Sequence, residues 1–251
     1  MHIQIVLFDG FDPLDVVAPY EVLHAGGTAS GGAVTVELVS AEGPREVVGG
    51  TGGLALRATG PLDPERADMI LVPGASGRVG DPGELPEEEV GADERKQDEF
   101  VPVLLGRALT EVGAGERKQD EFVPVLLGRA LTTELPALLG RAMDDPDVTV
   151  AAVCGGSLVL AMAGLLEGRH ATTHHLGLDL LDATGAHAIR ARVVDDGDLI
   201  TGAGVTSGLD LGLYLLEREL GPRVAHAVEE LFAHERRGTV WRARGPVPTA
   251  L

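Results

Sequence analysis

The chain has 251 residues, 39 of them acidic and 20 basic, for a net charge of −19, and it contains a single cysteine. One cysteine excludes an intrachain disulfide framework and any multi-cysteine zinc site. The acidic balance argues against nucleic acid as a partner, because phosphates need a basic surface.

Hydrophobic residues, at 44%, suffice for a sizeable core, and 35 glycines suit a fold with many tight strand-to-helix turns. The first nine residues, MHIQIVLFD, hold no Lys or Arg, whereas a secretory leader starts basic. The longest apolar run, Leu158 to Leu166, is nine residues, about half of a membrane span. These features lead us to expect a soluble cytoplasmic protein with no membrane partner.

Read along the chain, HIQIVLF (2–8) predicts a first strand, followed by helical spacing over 15–25 that sets Val16, Tyr20 and Leu23 on one side. Strands are predicted at 34–40 and 68–74, with a Gly-rich hairpin at 47–58 between them. VTVAAVC (148–154) predicts a buried strand running straight into the helical GGSLVLAMAGLL. Further on come a short strand (170–175), a helix (176–185), a hairpin around DDGD (188–204) and two helices (205–221 and 222–237), the last with Pro222 at its first position. Strands alternating with helices predict an α/β fold with a doubly wound, mostly parallel sheet and helices on both faces. The pattern is that of a single domain over 1–240, with a tail at 241–251.

The stretch between Gly74 and Cys154 breaks the rhythm. Val90 to Glu111 and Val112 to Thr133 are near-identical 22-residue copies, differing only at Asp93/Gly115 and Glu111/Thr133. ELPALLGRAM (134–143) echoes the unit more weakly. Two copies do not make a solenoid, so a duplication within one crossover is expected. Twenty-two residues turn a helix about six times with about 40° left over, which would keep an apolar stripe nearly in phase. Pro102 and Pro124 work against one continuous helix.

Cys154 carries the strongest chemical signal. It sits where an apolar strand meets Gly155, Gly156 and a helix, the geometry of an exposed nucleophile at the carboxyl edge of a sheet. Helix N–H groups facing the sulfur are expected to lower the thiol pKa. A buried structural cysteine is the plainer alternative. Asp9, Asp12 and Asp15 follow the first strand and fall at the same edge, with Asp15 alternatively a cap or first-turn acid of the helix. His174 and His175 end a strand near that edge and could pair with the thiol. No HExxH spacing and no GxGxxG after a strand occur, so neither a metal nor a nucleotide cofactor is expected.

Four motifs in order, PLDVVAPYEVL, MILVPGASG, AAVCGGSLVLAMAGLLEGRHATTHH and LITGAGVTSGLDLGLYL, resemble the ThiJ/PfpI superfamily. Within it they are most similar to the isonitrile hydratases and to the ligand-binding domains of AraC-like regulators. The resemblance spans roughly residues 3–80 and 145–235. It implies a flavodoxin-like fold, a homodimer, and catalysis without a cofactor by Cys154 beside Asp15 in LDVVAP. It also implies oxyanion donors at the backbone of Ala75 and Gly155, and a pocket with His175 and Thr206. The substrate implied is a small-molecule isonitrile, hydrated to an N-substituted formamide. Other activities of the superfamily, glyoxalase-like or an oxidisable-cysteine stress protein, and a non-catalytic sensor are the alternatives. The sequence departs from the hydratases at Gly155, where they carry Thr, and at His175, where they carry Trp. Superfamily proteases carry His directly after the cysteine, so Gly155 argues against that activity. The chain is acidic and ends about 14 residues past the last helical pattern, which argues against a regulator's basic helix-turn-helix.

Overall fold

The computed structural model describes residues 1–78 and 121–245. The first repeat copy, 90–111, and the opening of the second lie outside the described residues.

The amino-terminal half supplies β1 (His2–Val6), α1 (Pro13–Ala29), β2 (Thr35–Ser40), the hairpin β3 (Arg45–Val48) and β4 (Ala55–Ala58), β5 (Gly60–Pro61) and β6 (Met69–Val72). After the repeats come α2 (Val123–Ala130), α3 (Leu135–Asp144), β7 (Thr149–Val153), α4 (Gly156–Met162), β8 (His170–Ala171), α5 (Leu178–Ala183) and β9 (His187–Ala188). The chain continues through β10 (Val193–Asp195), β11 (Leu199–Gly202), α6 (Ser207–Leu220), α7 (Pro222–Phe232) and β12 (Trp241–Arg242).

Eight of these strands form one sheet in the order β12-β10-β11-β7-β6-β1-β2-β5. It is parallel throughout except where β10 runs antiparallel to β11. The central strands are apolar on both sides, as a sheet covered on two faces requires. All four residues of β6 and the last four of β7 are buried.

From β1 the chain steps one way to β2, while from β6 it steps the other way to β7 and β11. Right-handed crossovers on opposite sides of that reversal place their helices on opposite faces. Accordingly α1 packs with α6 and α7, whereas α2, α4 and α5 form a second group with α3 and α4 against β7. The reversal between β1 and β6 opens a crevice at the carboxyl edge, where a doubly wound sheet takes its ligand.

In the described part of the second repeat copy, Pro124 lies in the first turn of α2, where its missing N–H costs nothing. The helix stops after eight residues, and a separate helix forms from the weak echo at Leu135. Thr133 marks the break: its hydroxyl donates to the Ala130 carbonyl (2.8 Å) and accepts from Leu135 N–H (3.1 Å). Leu126, Leu127 and Ala130 are buried in the core, each leucine contributing ~1.5–3 kcal/mol. At the other end, Trp241 and Arg242 pair with Val194 and Asp195 as the sheet's outermost strand, so ordered structure runs past residue 240.

Candidate active site

Three strand ends build the site. β7 delivers Cys154, whose N–H continues the sheet ladder by donating to Gly202 O (3.0 Å). The backbone then turns sharply. Cys154 has φ 55°, one of only two left-handed non-glycine residues among those described. Such a conformation costs a residue with a Cβ roughly 1–2 kcal/mol, and it holds only because the surroundings fix it. Thr173 Oγ1 donates to Cys154 O at 2.7 Å. Ser157 Oγ, with one hydrogen to give, lies 3.1 Å from Cys154 O and 2.6 Å from Thr172 O. Gly156 lets the elbow fold over β6, since a Cβ there would fall 2.1 Å from Val72 O.

β1 delivers the three acids, which the structure sends to different tasks. Asp9 pairs with Arg45 at 3.1 Å. Asp12 caps α1, its Oδ1 accepting from Leu14 N–H at 2.8 Å. Asp15 is therefore not the cap. It is fully buried in the first turn, and its Oδ2 accepts from Gly74 N–H at 2.9 Å. Asp15 Oδ1 is buried without a hydrogen-bond partner. Pro19 sits one turn on inside the helix and cannot donate to the Asp15 carbonyl.

β6 delivers Pro73, Gly74 and Ala75. Phe11 and Ala75 form a bridge in which the two hydrogen bonds come from Asp12 N–H to Gly74 O (2.8 Å) and Ser76 N–H to Gly10 O (3.1 Å). Ala75's own N–H takes no part in it. A Cβ on Gly74 would lie 2.6 Å from Gly155 N and 2.9 Å from Asp15 Oδ2. Gly74 thus lets acid, elbow and Ala75 loop meet. Leu127 of the second repeat copy closes on the same point, its Cδ1 3.7 Å from where a Gly155 Cβ would stand.

The electrostatics follow from burial. Burial first, then the charge of Asp12, pushes the Asp15 carboxyl well above its ordinary value, against the pull of Gly74 N–H and the Cys154 thiol. Burial and then the Asp15 charge push the Cys154 thiol up, with the Gly155 N–H opposing and Asp12 adding to the rise. The lowered thiol pKa expected from the helix N-terminus is not found: one N–H does not outweigh desolvation beside a carboxylate. The two groups titrate as a pair, and the raised carboxyl is the stronger base for it.

The structure brings Cys154, Asp15, Gly155 and Ala75 together. His175 is exposed on a short helical turn, its ring centroid 4.2 Å from that of His174 with the two planes tilted by 37°. His174 is half-buried, and burial and His175 lower its pKa. Its Cδ2 lies 3.6 Å from where a Cβ on Gly204 would stand. Thr206 is exposed and accepts from Arg192 Nη2 at 3.0 Å, the same guanidinium that pairs with buried Asp210 at 2.6 Å. Sequence reasoning passed over Thr173 and Gly74, whose signals were a polar residue within ATTHH and a glycine directly after an apolar strand. Among the described residues no group of three His, Cys, Asp or Glu could hold a metal ion. No helix among them is long and apolar enough to cross a membrane.

This elbow on this sheet defines a class. Residues 129–218 match the DJ-1/PfpI family, and the described fold is that of its solved members. The chain superposes on a ThiJ/PfpI family protein from Pseudomonas syringae with a TM-score of 0.64, at 24% identity over 94% of this chain and 76% of that one. It superposes on Drosophila melanogaster DJ-1beta with a TM-score of 0.62, at 16% identity over 92% of this chain and 97% of that one. By sequence it is 49% identical to isonitrile hydratase of Pseudomonas putida over 80 residues, 32% of this chain and 35% of that protein. It is 39% identical to the HTH-type transcriptional regulator CdhR of Pseudomonas aeruginosa over 101 residues, 39% of this chain and 30% of that one. The matches thus span about a third of these relatives' length.

Proposed function

We propose that the chain is a cysteine-dependent hydratase converting an isonitrile to an N-substituted formamide. The observation that carries this reading is a left-handed elbow cysteine set against a fully buried carboxylate with one unpartnered oxygen. The similarity to isonitrile hydratase supports the substrate class.

The chemistry follows from the pair. Asp15 takes the thiol proton, and the sulfur attacks the terminal carbon of R–NC. Asp15 returns the proton to that carbon, giving the thioimidate R–N=CH–S–Cys154. Asp15 then draws a proton from water as the water oxygen adds to the carbon, passes that proton to the nitrogen, and relays the new hydroxyl's proton to the departing sulfur. The C–S bond breaks, releasing R–NH–CHO and the thiol. The N–H groups of Ala75 and Gly155 face the developing negative charge. His175 and Thr206 border the substrate, and a homodimer in the cytoplasm is the working form.

The test is purified protein with cyclohexyl isonitrile, following loss of the isonitrile stretch and appearance of the formamide by NMR. Cys154→Ala is the control. A folded protein that forms no formamide overturns the proposal. The regulator similarity favours a second reading, a small-molecule sensor, which a ligand bound and released unchanged would support. Turnover of a dicarbonyl instead would favour a glyoxalase-like activity, and selective oxidation of Cys154 without turnover an oxidisable-cysteine stress protein.

A further inference from the structure

The mechanism uses Asp15 and leaves Asp12 aside, yet Asp12 is held at the same place. Its N–H donates to Gly74 O, while Gly74 N–H donates to Asp15 Oδ2. The two carboxyl-bearing residues are thus tied to the two backbone polar groups of one residue, Gly74. Asp12 is half-buried, its Oδ1 is engaged by Leu14 N–H, and it forms no ion pair with a described residue. Beside it, Asp15 Oδ1 is fully buried and takes no N–H or O–H hydrogen bond.

We propose that Asp12 sets the charge class of the substrate: together with the Cys154–Asp15 pair it forms a filter that admits neutral or cationic molecules and turns away anionic ones. The inference rests on Cys154 being the nucleophile. In its reactive form the pair already carries one negative charge, shared between sulfur and carboxyl. Asp12 adds a second, and its field reaches both members of the pair. Burial and neighbouring carboxylates are what raise both groups. A substrate carboxylate would bring a third negative charge into a partly desolvated crevice, where like charges repel far more than in water. A neutral isonitrile avoids that repulsion, and an amine-bearing one is drawn in.

The single cysteine makes the test specific. Iodoacetamide and iodoacetate are nearly the same size and differ by one negative charge, and addition at Cys154, the one thiol, is followed by peptide mass. The ratio of their alkylation rates is measured for the wild type and for Asp12→Asn, which keeps the helix cap. The substitution is expected to reduce the wild-type preference for iodoacetamide by about tenfold. Raising salt is expected to narrow the preference in the wild type and much less in the variant. If Asp12→Asn melts at a lower temperature, Asp12→Ser supplies the same comparison. An unchanged rate ratio in a folded variant overturns the filter while leaving the nucleophile standing. Failure of both reagents to modify folded wild type removes the nucleophile itself. For turnover, the same variant is expected to favour isocyanoacetate over cyclohexyl isonitrile relative to wild type.

Discussion

Asp15→Asn is expected to stabilise the protein while removing its activity. Asp15 is fully buried, takes one N–H hydrogen bond, from Gly74, beside its contact with the Cys154 thiol, and its Oδ1 has no N–H or O–H donor. An unsatisfied buried polar atom costs about 1–3 kcal/mol, and here the group is also charged and faces Asp12. Asparagine keeps an acceptor for Gly74 N–H and leaves the other atom no better satisfied, so the gain, about 1–2 kcal/mol, comes from removing a buried charge beside Asp12 and holds where the carboxyl is ionised. For a chain of this size that is about 2–8 °C in Tm. The sign with pH is fixed by linkage. The folded-state pKa of Asp15 is raised, so folded protein holds the proton more tightly than unfolded protein does. Wild-type stability from this group is present below the ordinary carboxylate pKa and is lost as pH rises through the raised one. The advantage of the asparagine variant therefore grows toward alkaline pH and fades toward acid. Thermal melts of both proteins between pH 5 and 9, beside isonitrile turnover, measure it. A variant less stable than wild type at every pH, or a gap that ignores pH, would refute the account of a poorly compensated buried carboxylate.

Cys154→Ala is expected to abolish turnover with little change in melting, whereas Cys154→Gly should also lose turnover but gain about 1 kcal/mol by relieving the left-handed backbone; a destabilised glycine variant would argue against strain there. Gly74→Ala places a Cβ 2.6 Å from Gly155 N and should cut kcat steeply by separating acid from elbow, so wild-type kinetics would count against the assembly described. Deleting Val90 to Glu111 should leave a cooperative melt and retained turnover, because the second copy already supplies the buried Leu126 and Leu127; aggregation of the deletion variant would show that both copies belong to the core.

The central strands were legible because a sheet buried on both faces writes itself as unbroken apolar runs: MILV and TVAAV lie within the predicted bounds. The last two helices were legible in the sequence, although the second, expected to 237, stops at Phe232, where Ala233 turns left-handed, and the elbow was legible from a cysteine between an apolar run and two glycines. What escaped depended on tertiary partners. β5, β8, β9 and β12 are two residues each, too short for any pattern, and exist only because a neighbour supplies the ladder. The three acids after β1 look equivalent in sequence, and only Leu14 N–H, Arg45 and Gly74 N–H sort them. The direction of the thiol shift was also hidden, because it is set by how much water the fold removes.

The outermost strand has a consequence for observing the molecule. Trp241 is the chain's one tryptophan, and its ring lies 5.0 Å from that of His170, which in turn contacts Asp196 at 3.0 Å. The tryptophan emission of the protein therefore comes from a single place, the edge of the sheet, and an imidazole that can quench it stands alongside. Three inter-strand spacings, about 14 Å, separate that edge from β7. Fluorescence consequently reports fraying of the border before the interior opens, while thiol labelling reports the interior. The two optical and chemical clocks run on the same molecule without any introduced probe.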